Sequence, residues 1–221
     1  MAPEASPAQA VVALLTRAPS AGGKTRLFRE LERACDPVLL LALLLDTLEA
    51  VTMTGFPVVV FCEPPDACDD LRRQLPSAIR IEPQAGGDLG ERMGAAFDVL
   101  MAEGAGRVLV IGSDLPTLWP DLLREADSTL ATGAADVVIG PSLDGGYVLL
   151  GACRTPWSLF RDIAWSGPDV LALTLETAAR AGLRTAVLPA TPDVDTLADL
   201  RAVANGAGAA RTRAWVRANG L

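Results

Sequence analysis

"VVALLTRAPSAGGKTRLFRE", residues 11–30, decides how the chain is read. Its apolar first half predicts a buried strand. Its second half leaves that strand through a glycine turn carrying a lysine. Residues 18–25 fit a relaxed phosphate-loop pattern, with Ala18 where the first glycine usually stands and Gly23-Lys24-Thr25 at the end. A Walker A loop also needs an apolar strand ending in Asp. "VLVIGSD", 108–114, offers only an approximate one, with Gly112 and Ser113 before Asp114. Pro19 and the missing glycine weaken the match further. The alternative is a different phosphate grip, in which the turn brings backbone N–H groups of Gly22 and Gly23, with Arg17, Lys24, Thr25 and Arg26, onto a diphosphate. The plainest reading is a strand-to-helix turn with solvated basic residues.

The lysine itself argues against the plainest reading. The chain has 221 residues and 19 basic ones, of which only Lys24 is a lysine. A lone ammonium in a glycine turn points to a place where a compact cation is wanted rather than a planar guanidinium. A loop cation of this kind is expected to contribute little to folding. The chain contains no histidine, which removes Ser-His-Asp and Cys-His machinery and His-ligated zinc together. Chemistry with good leaving groups and a hard metal ion fits better. A net charge of −8 disfavours a nucleic-acid partner. The four cysteines form no CxxC pair, consistent with reduced thiols and an expected cytoplasmic location. "PVLLLALLLDTLEAV", 37–51, carries Asp46 and Glu49 and is expected to be a buried core helix, not a membrane span.

Strand-like runs fall at about 10–16, 57–62, 78–82, 107–112, 136–140, 146–151 and 184–188. Helical periodicity falls at 37–52, 88–103, 119–131, 168–181 and 196–204. The alternation predicts one α/β domain over 10–204 with a mostly parallel sheet and the first strand central. Residues 1–9 are expected to be a loose leader, and 205–221 a tail or frayed surface helix. Ligands of such sheets sit beyond the carboxyl ends of the strands. The polar signals collect there.

Asp114 in "IGSDLP" either binds Mg²⁺ or Mn²⁺ or caps the following helix. Asp193 and Asp195 in "DVDTLADL" point the same way on an extended chain, so one of them can complete a metal site. Thr196 with Asp199 also reads as a capping box. "SLDGGYVLL" signals a hairpin at Asp144-Gly145. Its glycines, Gly145 and Gly146, would also let a substrate approach the backbone. "GGDLGERM", 86–93, opens a helix whose N-terminus, near Gly90 and Arg92, either holds an anion or is capped by Asp88. Trp165 either lines an acceptor pocket or packs in the core.

In order along residues 11–200, "KTRL", "GGDLGERM", "IGSDLPTL", "GPSLDGGYVLLG", "IAWSGPDVL" and "DVDTLADL" resemble a bacterial family of the GT-A superfamily. Its members are known as arsenosugar-biosynthesis or selenium-domain-associated glycosyltransferases. Gly167 stands where the resemblance leads one to expect Thr. The resemblance implies a nucleotide-diphospho-sugar transferase fold, a three-layer α/β sandwich with a mixed sheet. It implies that Lys24 and Arg26 belong to the phosphate loop, that Asp114 is the metal-binding acid and that Asp195 is the acid before the last helix. The superfamily also holds nucleotidyltransferases, among them 2-phospho-lactate guanylyltransferases. The expected activity is metal-dependent glycosyl transfer from a nucleotide sugar to a small acceptor, with Asp144 orienting the acceptor or acting as base. Nucleotidyl transfer with pyrophosphate release is the alternative. A non-catalytic nucleotide-binding module is a third reading.

Overall fold

A computed structural model describes residues 9–165 and 167–221. Ser166 and nearly all of the expected leader lie outside the described residues. Seven strands form one sheet: β1 Val11–Arg17, β2 Val58–Glu63, β3 Arg80–Pro83, β4 Val108–Ile111, β5 Val137–Pro141, β6 Tyr147–Ala152 and β7 Thr185–Val187. Their order is β3-β2-β1-β4-β6-β5-β7. Every pairing is parallel except those of β6, which runs antiparallel to β4 and β5. All four residues of β4 are buried, as are the five of β5. Strands covered on both faces by helices read as continuous Val/Ile/Leu runs, which is why they were visible in the sequence.

The helices are α1 Thr25–Glu30, α2 Pro37–Thr52, α3 Cys68–Gln74, α4 Leu89–Ala102, α5 Pro120–Ala131, α6 Val170–Arg180, α7 Leu197–Asn205 and α8 Ala210–Ala218. Leu44, Leu71 and Leu123, from α2, α3 and α5, pack with one face of the sheet. Phe97 of α4 and Ala178 of α6 pack on the other, giving three layers. The leucine run of α2 is buried from two sides. Leu44 and Leu48 join the sheet cluster, while Leu39 and Leu43 join a smaller cluster with α7 and α8. That double burial explains its all-round hydrophobicity. No helix among the described residues is long and apolar enough to cross a membrane.

Two expectations change. β4, not β1, is the central strand. The hairpin after β5 turns β6 back between β5 and β4, which pushes β1 one place from the middle. The C-terminal stretch is not frayed: α8 sits on α2 with Trp215 and Val216 buried. Asp36 accepts from Trp215 Nε1 at 2.8 Å, and buried Asp46 accepts from the backbone N–H of Thr212 at 2.8 Å.

The chain order creates the crevice. From β1 the strands step outward to β3. The chain then returns through α4 to β4, on the other side of β1. Ligands of open α/β sheets bind at such a switch point, outside the carboxyl ends. Here it lies between β1 and β4.

Candidate active site at the β1–β4 switch point

The loop after β1 makes a short 3₁₀ turn at Pro19–Ala21 and then reverses through Gly22 and Gly23, with φ of 75° and 152°. Lys24 follows in the left-handed region at φ 48°. That conformation costs a residue with a Cβ on the order of 1 kcal/mol. The helix that follows has six residues. This is not the continuous helix a Walker A loop feeds, so the Walker-like match is coincidental.

The left-handed turn aims the Lys24 ammonium across the switch point, where it pairs with both Asp114 and Asp195. Burial alone would lower its pKa, but Asp114 and then Asp195 overcome that and hold the ammonium well above its ordinary value. Asp114 lies just past β4 on a loop stapled by Thr47. The Thr47 hydroxyl donates to Ser113 O at 3.1 Å and accepts from Leu115 N at 3.0 Å. Asp114 does not cap a helix, since α5 begins only at Pro120.

The third segment is 193–195. Val194 N donates to Asp114 O at 3.1 Å, and its side chain is buried with Leu27 and Leu39. With Val194 turned into the core, extended alternation turns Asp193 and Asp195 the other way. Asp114, Asp193 and Asp195 each offer an oxygen within 4.8 Å of the others. Thr196 and Asp199 close a capping box immediately afterwards. The capping box of the sequence reading forms, and Asp193 faces Asp114 together with Asp195. Burial first, then the charges of Asp114 and Asp195, push the Asp193 carboxyl up to about 7.

A cavity of about 490 Å³ runs from this cluster over the ends of β1, β2 and β3. A second, of about 270 Å³, lies beside it, and Asp195 borders both. The sequence-predicted residues divide between them. Arg17, Gly22, Gly23, Lys24, Thr25, Arg26 and Arg92 border the larger cavity. Arg26 stands at the rim, largely exposed and paired with Glu30 at 3.4 Å, away from the acids. Arg17 braces the loop by donating to Ala21 O at 3.2 Å. Arg92 pairs with Glu63.

Asp144, Gly146, Tyr147 and Trp165 border the smaller cavity. The β5–β6 hairpin forms at Asp144-Gly145 as its sequence signals. Asp144 accepts from Ser142 Oγ at 2.5 Å and from Gly146 N at 3.2 Å. The Ser142 hydrogen bond chiefly holds its carboxyl below the ordinary value.

Two glycines expected to face ligand do not. A Cβ on Gly90 would lie 2.5 Å from the Trp165 ring. One on Gly145, at φ 96°, would lie 2.0 Å from Pro168 O. Gly90 accommodates Trp165 against α4, and Gly145 accommodates Pro168 against the hairpin. The start of α4 is capped by Asp88, which accepts from Glu91 N at 2.8 Å. That cap takes the place of the bound anion read as possible there. Glu63 and Gln84 border the larger cavity and had no sequence signal beyond lying at strand ends.

The donor set suits a hard divalent cation. Mg²⁺ and Mn²⁺ are held by carboxylate oxygens and bridge phosphates. Three carboxylates here share one balancing cation, the Lys24 ammonium, which stands against two of them.

Solved structures share this fold. The crystal structure of a candidate nucleotide-diphospho-sugar transferase from Desulfovibrio desulfuricans G20 superposes with a TM-score of 0.86 at 29% identity, covering 96% of each chain. A Methanothermobacter nucleotidyl transferase gives a TM-score of 0.59 at 20% identity, over 88% of this chain and 95% of that one. Rv0371c of Mycobacterium tuberculosis H37Rv, solved as a complex with manganese, gives 0.51 at 17% identity, over 88% and 97%. No curated protein matches the chain in sequence. The fold is therefore that of the nucleotide-diphospho-sugar transferases and nucleotidyltransferases. A family model matches residues 45–167, and the chain belongs to that family, described as "Uncharacterized protein conserved in bacteria (DUF2064)".

Proposed function

We propose that the protein is a metal-dependent transferase that takes a nucleotide-diphospho-sugar and moves the sugar to a small acceptor. The observation that carries this reading is the junction at Asp195, where three carboxylates and Lys24 stand between a long cavity and a short one. A donor's nucleotide fits the long cavity, and its sugar and the acceptor fit the short one.

In this reading Asp114, Asp193 and Asp195 hold Mg²⁺ or Mn²⁺. When bound, the cation supplies charge neutralisation at the diphosphate. Lys24, already aimed at the same point, hydrogen-bonds the phosphate oxygens and stabilises the charge that grows on the leaving nucleotide diphosphate. Arg26 adds positive charge at the rim. Trp165 and Tyr147 wall the acceptor side, where an aromatic surface suits a sugar face. Asp144, held ionised by Ser142, orients the acceptor hydroxyl or takes its proton.

Nucleotidyl transfer is the second reading. It is favoured by Lys24 lying within the acid cluster, where it would also meet an α-phosphate under attack. Incubation with nucleotide sugars and with nucleoside triphosphates, each with Mg²⁺ or Mn²⁺, separates the two. Metal-dependent release of nucleoside diphosphate from a nucleotide sugar supports glycosyl transfer. Release of pyrophosphate from a triphosphate replaces it with nucleotidyl transfer. Binding without turnover of either leaves a nucleotide-binding module.

A further inference from the structure

We propose that the arm of the long cavity over β1, β2 and β3 selects guanine as the base of the nucleotide. The proposal rests on the nucleotide-donor reading above.

Three neighbouring strand ends supply the side chains. Arg17 ends β1, and Glu63 ends β2 opposite it. Gln84 follows the last paired residue of β3, and its N–H donates to Cys62 O at 2.8 Å. The Gln84 amide has one possible orientation. Its Nε2 donates to Thr16 O at 2.8 Å and Phe61 O at 2.9 Å, and only an NH₂ group can serve two carbonyls. The oxygen Oε1 is thereby left as an acceptor at the cavity wall. Glu63 is also an acceptor. Arg17, at 3.6 Å, and Arg92 flank its carboxylate. They balance its charge, so it can sit beside an anionic nucleotide, and about four lone-pair sites leave it capacity to spare. Each arginine is tied at its other nitrogens to a loop carbonyl, Arg17 to Ala21 O and Arg92 to Gly87 O, so the wall is braced.

Between the donors of Arg17 and Arg92 the wall therefore offers two neighbouring acceptors, the Glu63 carboxylate and Gln84 Oε1. Guanine presents the complement: O6 accepts, while N1–H and the N2 amino group donate. Uracil sets one N–H between two carbonyls, cytosine has one amino donor followed by two acceptors, and adenine has one amino donor beside an acceptor nitrogen. Each would place a lone pair against Glu63 or Gln84. From β3 to β4 is three strand spacings, about 14 Å. A nucleoside with its diphosphate bridges that span, with its base at Glu63 and its phosphates at Lys24.

Calorimetry on the unaltered protein with Mn²⁺ tests this with GDP, IDP, ADP, CDP and UDP. GDP is expected to bind about 10-fold or more tightly than ADP, CDP and UDP, because a site built to hydrogen-bond a ligand rejects the analogue that leaves its polar groups unpaired. IDP lacks only the N2 amino group and is expected to fall several-fold below GDP. Glu63→Gln is expected to flatten the GDP preference. ADP, CDP or UDP binding as tightly as GDP, or IDP matching GDP, overturns the assignment while leaving the nucleotide-donor reading in place. Failure of all five to bind overturns both.

Discussion

Two charged sites in this molecule differ both in burial and in balance. Asp46 of α2 has a side chain only 1% exposed, and the start of α8 satisfies it completely. It accepts from Arg211 N at 3.2 Å, Thr212 N at 2.8 Å and Arg211 Nη1 at 3.1 Å. The buried acid meets two backbone amides and a guanidinium that it shares with the exposed Glu49. At the switch point, Lys24 is the one cation paired with Asp114 and Asp195 among the described residues, and Asp193 beside them is pushed up to about 7. The first arrangement is closed and holds two helices together. The second has more negative charge than the protein itself neutralises, which is the condition for taking up a cation. What separates a structural acid from a ligand-binding one here is the set of partners together with access: Asp46 is closed off, whereas Asp114 and Asp195 keep 26% and 42% of their side chains open to the cavities.

Substitutions at three positions sharpen the contrast. Asp46→Ala orphans two backbone N–H groups of α8 and breaks a part-buried ion pair. It is expected to cost about 3 kcal/mol of stability by denaturant unfolding, with nucleotide affinity unchanged. Loss of nucleotide binding at equal folding would place Asp46 in the site and erase the distinction. Asp114→Asn is expected to fold normally yet lose at least about 100-fold in metal-dependent nucleotide affinity, since even the outer-shell partners of a metal typically contribute 10–100-fold. Parent-like binding of Mn²⁺ and nucleotide by calorimetry would make Asp114 a purely structural residue.

Lys24→Ala is expected to affect the ligand less than Asp114→Asn, by about 10-fold in nucleotide affinity, and Lys24→Arg recovers only part of that. Its effect on folding reverses what a loop lysine suggests. Lys24 is not solvated; its side chain is 17% exposed and pairs with two acids. Without it three carboxylates repel one another. Thermal melting of the variant is therefore expected to drop without metal and to recover with Mn²⁺ by more than the parent gains. Identical metal responses in the two proteins would contradict this.

The inner strands of the sheet were legible because they are buried on both faces and read as continuous apolar runs. α1 and α3 were not, at six and seven residues, because neither shows enough turns for a period to appear. α8 is amphipathic but polar on average, and its place is decided by Asp36 and Asp46, which lie far away in sequence. At the site, Lys24, Asp114 and Asp195 stood out because each flanks a recognisable element, the first two after a strand and Asp195 before a capped helix. Asp193 remained one of two choices until Val194 was seen turned into the core. Glu63 and Gln84 gave no local signal; they become a wall only through the register of β1, β2 and β3. Gly90 and Gly145 were read as ligand-facing because a sequence shows that a side chain is missing without showing what fills the space. Trp165 and the Pro168 carbonyl fill it.

The most direct test of the central claim is anomalous diffraction from crystals grown with MnCl₂. The account predicts a manganese peak among the carboxylates of Asp114, Asp193 and Asp195, with the Lys24 ammonium moved off Asp114 and Asp195. Density with no manganese peak, and with Lys24 still paired to both acids, would contradict it.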